Sequence, residues 1–348
     1  FSLEDAFNYT FYGFNDVVKD MCSKIDKQVV DASMQFNQNV SPYFFFSEEQ
    51  TGFLVEKDKL YTQILDALNK KSRIRIDVKP KVIKPKVTVT QLKDGTVRKS
   101  RFETSYASSS PNRKNNIELA AQNFNGLVVL PNQEVSFNKI TGRRTQEKGY
   151  KEANIIVNNE YTQSLGGGVC QVSTTLYNAL VLAEMEIKEV HPHSLASGYV
   201  LGGFDAMVNF GSSDLRWKNS SGSPIYIRTY ANGQILGVEI YGIKNNFQIK
   251  RFSQEVKTIS PPEERVEQDA NLFVGEWHYK SYPKNGSVVK SYLEYYKDGV
   301  LCNTKQIRTS TYKPMQGVKV VGTKQKPVEE MVPQCENFDE IVYFSPQF

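Results

Sequence analysis

The sequence predicts an α+β protein of several domains: an α+β N-terminal domain, an α+β central domain, and a β-rich C-terminal module. Three observations predict it. The chain has 348 residues, well beyond the ~100–200 of one typical domain. Helical and strand periodicities alternate through the first 240 or so residues, whereas residues 253–323 alternate apolar and polar almost throughout. A polar stretch, residues 93–112, separates two apolar-patterned regions. The expected boundaries are 1–92, a linker over 93–112, 113–245, 253–323, and a Pro-rich tail over 324–348.

Each element has a local reason. Residues 18–30 can form a helix, and 44–54 carry a strand and a turn. Leu60, Ile64 and Leu68 fall at i, i+4 and i+8, which predicts an amphipathic helix over 58–68. Residues 74–83 and 87–92 read as Pro-broken strands. In 115–125, Ile117, Ala120, Ala121 and Phe124 share one helical face, and Gly126 supplies the stop. Short strands follow at 127–130, 135–137 and 155–157, separated by the Pro131-Asn132 turn and ended by Asn158-Asn159. A helix over 170–183 comes next, then strands at 199–201, 206–210, 225–230 and 236–241. The last region holds a hairpin, 288–296 and 300–307, around Lys297-Asp298-Gly299.

Composition excludes several classes. Hydrophobic residues make up 39 % and charged residues 23 %, values of a globular chain rather than a disordered one. No apolar run reaches the ~18 residues of a membrane span. The chain begins at Phe1 rather than Met, and an upstream signal or membrane anchor is expected to precede it. The net charge of +5 suits an anionic wall or membrane surface. It does not suggest nucleic acid, since the most basic stretch, KPKVIKPK at 79–86, reads as a stiff linker or edge strand. The four cysteines, Cys22, Cys170, Cys302 and Cys335, form no CxxC pair. Cys302 and Cys335 could pair in an exported protein, or all three outside the glycine motif could be free thiols.

The chemistry concentrates at Gly166-Gly167-Gly168-Val169-Cys170, which runs into a helix. Glycines let the backbone approach a ligand closely. A helix start favours anions, so a thiol there ionises more readily, and its thiolate is the nucleophile. The same N–H groups can receive the oxyanion of an acyl intermediate. The plainer alternative is a buried small residue behind a tight turn. A thiol needs a base, and two of the three histidines, His191 and His193, lie in one His-Pro-His-Ser segment. If extended, both face the same side and either could reach Cys170. They could also be surface residues, or zinc ligands with Cys170, although no further ligand is spaced for a metal. Asp205 could orient the imidazole or cap a turn, and Asp214 is a second candidate. Arg143 and Arg144 could grip a substrate carboxylate or be a solvated loop.

These residues carry a family resemblance. GGGVCQVSTTLYNA, the HPHS segment, Tyr199-Val200, Asp205-Ala206 and Asp214-Leu215 resemble the VanW family, with Arg113, Asn116, Val135-Ser136-Phe137-Asn138 and Gly149-Tyr150 upstream. The resemblance covers residues 113 to 242. Residues 1–92 resemble, less specifically, a peptidoglycan-binding domain that often precedes VanW domains. Residues 254–322, with Ser291-Tyr292, Asp298-Gly299 and Val321-Gly322, resemble a G-five domain. Three departures stand out: Asn132 where the family often has Gly, Val190 where Arg is common, and Leu201-Gly202-Gly203-Phe204 in place of a Pro-rich stretch.

The resemblance implies an L,D-transpeptidase at the outer face of the membrane or in the wall, making 3–3 cross-links between meso-diaminopimelate residues. Cys170 would be the nucleophile, His193 the base and Asp205 the third member. Gly166, Gly167, Gly168, His191, Ser194, Tyr199 and Arg143 would contact substrate. The partners would be peptidoglycan stem peptides and glycan, with no nucleic acid, no metal and no cofactor. The flanking domains would bind wall, leaving the chemistry to residues of about 100–250. The competing readings are a non-catalytic wall-binding scaffold or glycopeptide-resistance accessory protein, and a cysteine peptidase that hydrolyses stem peptides.

Overall fold

The computed structural model describes residues 13–70, 75–157 and 160–325. The chain divides into two compact units, Phe1–Thr258 with Ser287–Lys313, and Ile259–Gly286 with Pro314–Phe348.

In the first unit the N-terminal region holds α1 (Phe14–Ile25), β1 (Ser33–Phe36), β2 (Phe44–Ser47), β3 (Gly52–Leu54), α2 (Lys57–Asn69), β4 (Lys81–Ile83) and α3 (Val89–Asp94). Val18 and Cys22 of α1 meet Leu60 of α2 and Val55 in a small core of their own. The helix expected over 18–30 therefore starts and ends earlier. After Ile25 the chain turns extended at Asp26, whose carboxylate accepts the Val55 N–H. Of residues 87–92, expected as a strand, 89–92 lie in α3 instead. Thr88 and Gln91 close a reciprocal capping box there, which outweighs the β-branched side chains of Val87 and Val89. Ile74 lies outside the described residues, and of 74–83 only β4 is strand.

The central region carries β5 (Val97–Ser105), α4 (Pro111–Gln122), β6 (Leu127–Val129), β7 (Glu134–Ser136), α5 (Phe137–Thr141), β8 (Glu152–Val157), β9 (Glu160–Leu165) and α6 (Val169–Leu182). It continues with β10 (Glu186–Glu189), β11 (Arg216–Lys218), β12 (Ile225–Ala231) and β13 (Ile235–Gly242). An antiparallel sheet in the order β5-β13-β12-β6 supports α4 and α6. The expected linker over 93–112 is thus in large part an element of the core sheet. β5 reads as polar because one of its faces is solvated, while Ser100 and Thr104 turn inward and bond Ala179 and Thr175 of α6.

Residues 199–201 and 206–210 are not strands; only isolated bridges, His191 to Met207 and Asn209 to Ser213, form there. The backbone groups of Ala206 and of nearby Phe204 are taken by α6 side chains. Ser173 donates to the Ala206 carbonyl, Thr174 accepts the Ala206 N–H, and Asn178 donates to the Phe204 carbonyl. α6 is buried along most of its length, so its polar residues must find such partners. The Asn158-Asn159 turn and most of the Pro-rich tail lie outside the described residues.

The C-terminal region comprises β14 (Gln248–Ile259), β15 (Arg265–Phe273), β16 (Trp277–Ser281), β17 (Gly286–Lys297), β18 (Val300–Tyr312) and β19 (Val318–Lys324). β17 and β18 make the expected hairpin, and Asp298 (φ 51°) and Gly299 (φ 82°) take the two left-handed positions of its turn. One sheet has the order β14-β17-β18; Ile249 and Leu293 from it belong to the core of the central region. The second unit has its own sheet, β15-β19-β16, in which β15 and β19 run parallel. Among the described residues no helix is long and apolar enough to cross a membrane.

Candidate functional site

Cys170 is the second residue of α6, whose N-cap is Gly168 in a left-handed conformation (φ 108°). A side chain there would be strained, and a Cβ would lie 3.0 Å from both Arg113 and Ile117. The glycine run thus turns the hairpin of β8 and β9 tightly into α6 and leaves Cys170 at the floor of a cleft of about 1420 Å3.

The Cys170 thiol donates to the Val208 carbonyl at 3.4 Å and shares a hydrogen bond with the His193 imidazole. Burial pushes this thiol up, but the imidazole bond and the charges of His193 and Arg144 more than offset it, so the thiol ionises below its ordinary value. His193 is buried. Burial disfavours its cation, yet bonds to Asp205 and Cys170 push it up to about 9. The two shifts run in opposite directions, the thiol down and the imidazole up, as expected of groups that favour a thiolate beside an imidazolium.

Asp205, only 1 % exposed, accepts four hydrogen bonds. Its Oδ2 takes the His193 backbone N–H at 2.6 Å and the His193 Nδ1–H at 2.8 Å. Nδ1 being engaged, Nε2 is the nitrogen left to face sulfur. Burial raises the Asp205 carboxyl, and His193 and Arg308 bring it back below its usual range.

Other expected residues separate into two groups. Gly166, Gly168, Ser194, Tyr199 and Arg143 line the cleft with Cys170 and His193. Gly167 packs on the β8 backbone, and His191 turns away. The His191 Nε2 donates to Glu189 at 2.9 Å, so the two histidines address different carboxylates. The expectation that both face Cys170 fails because the His191 ring is held by Glu189 and does not line the cleft, and among the described residues the zinc set His191, His193 and Cys170 is not brought to one point. Asp214 accepts from Ser136 and from the Asn138 and Leu215 N–H groups, which makes it a turn-capping residue.

Of the two loop arginines, Arg143 is exposed and stacks on Phe210 at 5.1 Å. Arg144 is the one built into the wall: its Nη2 donates to Asn138 at 2.7 Å, while Nη1 is buried without a partner among the described residues. Arg113, held by Ser109 and Gln171, is a second cleft cation that chemistry-led reading of the sequence passes over. Burial, then the Cys170 charge, pushes the Tyr199 hydroxyl up, so it remains a donor. Arg308 and Tyr312 reach Asp205 from the C-terminal hairpin. Their only signal in the sequence is that 308, 310 and 312 share one face of a strand.

Comparisons with known proteins agree with this layout. Residues 112–241 match the family described as VanW like protein, and residues 253–324 match the G5 domain. The chain is 31 % identical over 229 residues to the uncharacterized protein YoaR of Bacillus subtilis (strain 168), covering 66 % of this chain and 74 % of that one. It is 27 % identical over 115 residues to the vancomycin B-type resistance protein VanW of Enterococcus faecalis (strain ATCC 700802 / V583), 32 % of this chain and 42 % of that one. Among solved structures, an IgA1 protease G5 domain aligns over 23 % of this chain and 95 % of its own, at 21 % identity and a TM-score of 0.16.

Proposed function

The chain belongs to the VanW family and carries a G5 domain after its VanW domain, and on that premise we propose that it is a cell-wall L,D-transpeptidase working through a Cys170 thioester. Both domains support a cell-wall-associated protein. The observation that carries the finer reading is the Cys170–His193–Asp205 chain, in which a thiol at a helix start bonds an imidazole oriented by a buried carboxylate.

The donor is a stem tetrapeptide. The Cys170 thiolate attacks the meso-diaminopimelate carbonyl that precedes D-alanine, and the S–C bond forms as the C–N bond breaks. The His193 imidazolium gives its proton to the departing D-alanine amine. The oxyanion develops beside the first turn of α6, with the Arg144 guanidinium as a further donor. The side-chain amine of an acceptor stem then attacks the thioester. His193 takes the amine proton, and a 3–3 cross-link leaves as the thiolate is restored.

Incubating the purified chain with a disaccharide tetrapeptide and following intact mass tests this. A Cys170 adduct of the donor lacking D-alanine is expected, together with a cross-linked dimer once acceptor is present. Release of free tripeptide alone, with acceptor in excess, would make the protein a peptidase. No adduct and no product would leave a wall-binding scaffold.

A further inference from the structure

The VanW match ends at residue 241, yet the carboxylate that orients His193 is held from beyond it. Asp205 Oδ1, the oxygen His193 does not use, accepts the Tyr312 O–H at 2.6 Å and the Arg308 Nη2–H at 2.9 Å. Arg308 also donates to the Asp205 backbone carbonyl at 2.8 Å. Tyr312 in turn accepts the Gly203 N–H at 2.6 Å, so its hydroxyl proton is committed to Asp205. The four acceptor positions of one carboxylate are thereby filled, two by the histidine and two by β18.

The approach of β18 is built into the sequence. Gly203 has φ 81°, and a Cβ there would lie 2.7 Å from the Ser291 Cβ of β17. The Gly202-Gly203 pair is what lets the hairpin lie this close. Ser253 donates to the Gly202 carbonyl and the Lys313 N–H to the Ser194 carbonyl, fastening both sides. The Arg308 side chain is 11 % exposed, so its charge is one the fold has taken out of water on purpose of pairing.

We infer that Arg308 and Tyr312 are positioning residues of the active site: they hold Asp205 ionised and in plane with His193, so that the hairpin of the C-terminal module is part of the catalytic unit. The inference rests on reading Cys170 and His193 as the reacting pair. In the reactive state the thiolate is faced by the His193 imidazolium and by the Arg144 and Arg113 charges, and the Asp205 carboxylate by His193 and by the Arg308 guanidinium bonded to its Oδ1. Without Arg308 the buried carboxylate loses the one cation bonded to its Oδ1, and the relief is to take up a proton there or to weaken the imidazolium that the thiolate faces. The other ionisable groups facing the cluster are Tyr177 from α6, Arg251 from β14, Arg113 and Arg144 from the cleft wall, and Tyr199 beside the thiol.

The test is the pH dependence of Cys170 alkylation by iodoacetamide in the full chain, read peptide by peptide by mass spectrometry. The native chain is expected to show a midpoint below the free-thiol value of about 8.5. Arg308→Gln is expected to raise it by about one pH unit, the effect of losing one close opposite charge, and Arg308→Lys to restore most of it. Tyr312→Phe, which removes one oxygen and keeps the ring, is expected to lower kcat for acylation about tenfold at unchanged KM. Leu293→Ala, a packing change in the same hairpin, should leave the midpoint where it is. The inference is overturned if the midpoint does not move in Arg308→Gln, or moves as far in Leu293→Ala. Should Arg308→Gln fail to fold, Tyr312→Phe decides: an unchanged kcat overturns it. A native midpoint at or above 8.5 would instead overturn the thiolate–imidazolium reading itself.

Discussion

The C-terminal module has two sheets, and they are built for different work. The β14-β17-β18 sheet turns Val289, Ser291, Leu293, Ser310 and Tyr312 into buried positions, and its Arg251 reaches Asn178 on α6. The β15-β19-β16 sheet belongs to the second unit and leaves Trp277 55 % and Tyr282 66 % exposed. A single family match, residues 253–324, therefore spans a sheet that is part of the central core and a sheet that is not. A domain drawn from sequence similarity is a unit of descent, and here it differs from the units of packing.

Four measurements sharpen or break this contrast. The largest effect is expected from Cys170→Ala, which should abolish thioester formation and cross-linking while Cys302→Ala, an exposed thiol at the start of β18, leaves both intact. Equal loss in the two variants would place a second essential thiol in the C-terminal module. Next, His193→Ala should slow turnover on a tetrapeptide donor by ~10²–10⁴-fold, the usual worth of a general base. His191→Ala, whose ring faces Glu189, should cost far less; the reverse order would reassign the base.

Stability should follow the same divide. Leu293→Ala should cost about 2–5 kcal/mol in urea unfolding, as truncation of a buried leucine does. Val266→Ala, 59 % exposed on β15, should stay within about 0.5 kcal/mol. Similar costs would mean that the two sheets are equally integral to the fold. The smallest effect is expected from Trp277→Ala with Tyr282→Ala, which should weaken sedimentation with intact sacculi and leave turnover of soluble peptides unchanged. Slower soluble turnover in that variant would tie the second unit to chemistry as well.

Much of the front of the site was legible because it is local. The glycine run, the thiol and the start of α6 lie within a few residues of one another, and helix-start physics reads them together. Asp205 was reachable as a candidate because it follows a Gly-Gly turn near the histidines. The rear was hidden because nothing local marks it: Arg308 and Tyr312 lie 103 and 107 positions from the Asp205 they bind. Their alternation is visible, but alternation does not say what a strand packs against. Other misses were local ones. The Thr88-Gln91 box lay in plain view under β-branched residues, and β5 was obscured by a solvated face that reads as a linker. The loop from 199 to 210 has apolar strand-like composition, yet Phe204 and Ala206 give backbone groups to α6 side chains rather than to a neighbouring strand.

The order of these parts along the chain sets the order in which they come into being. Synthesis and folding proceed from the N-terminus, so Cys170, His193 and Asp205 exist well before β18 does. A nascent chain that has reached residue 258 has the cleft but neither Arg308 nor Tyr312, and its thiol still lacks the groups that hold the orienting carboxylate. On the proposed reading, the thiol is expected to reach its full reactivity only once β18 has joined the body, and a product truncated before it is expected to alkylate more slowly than the whole chain.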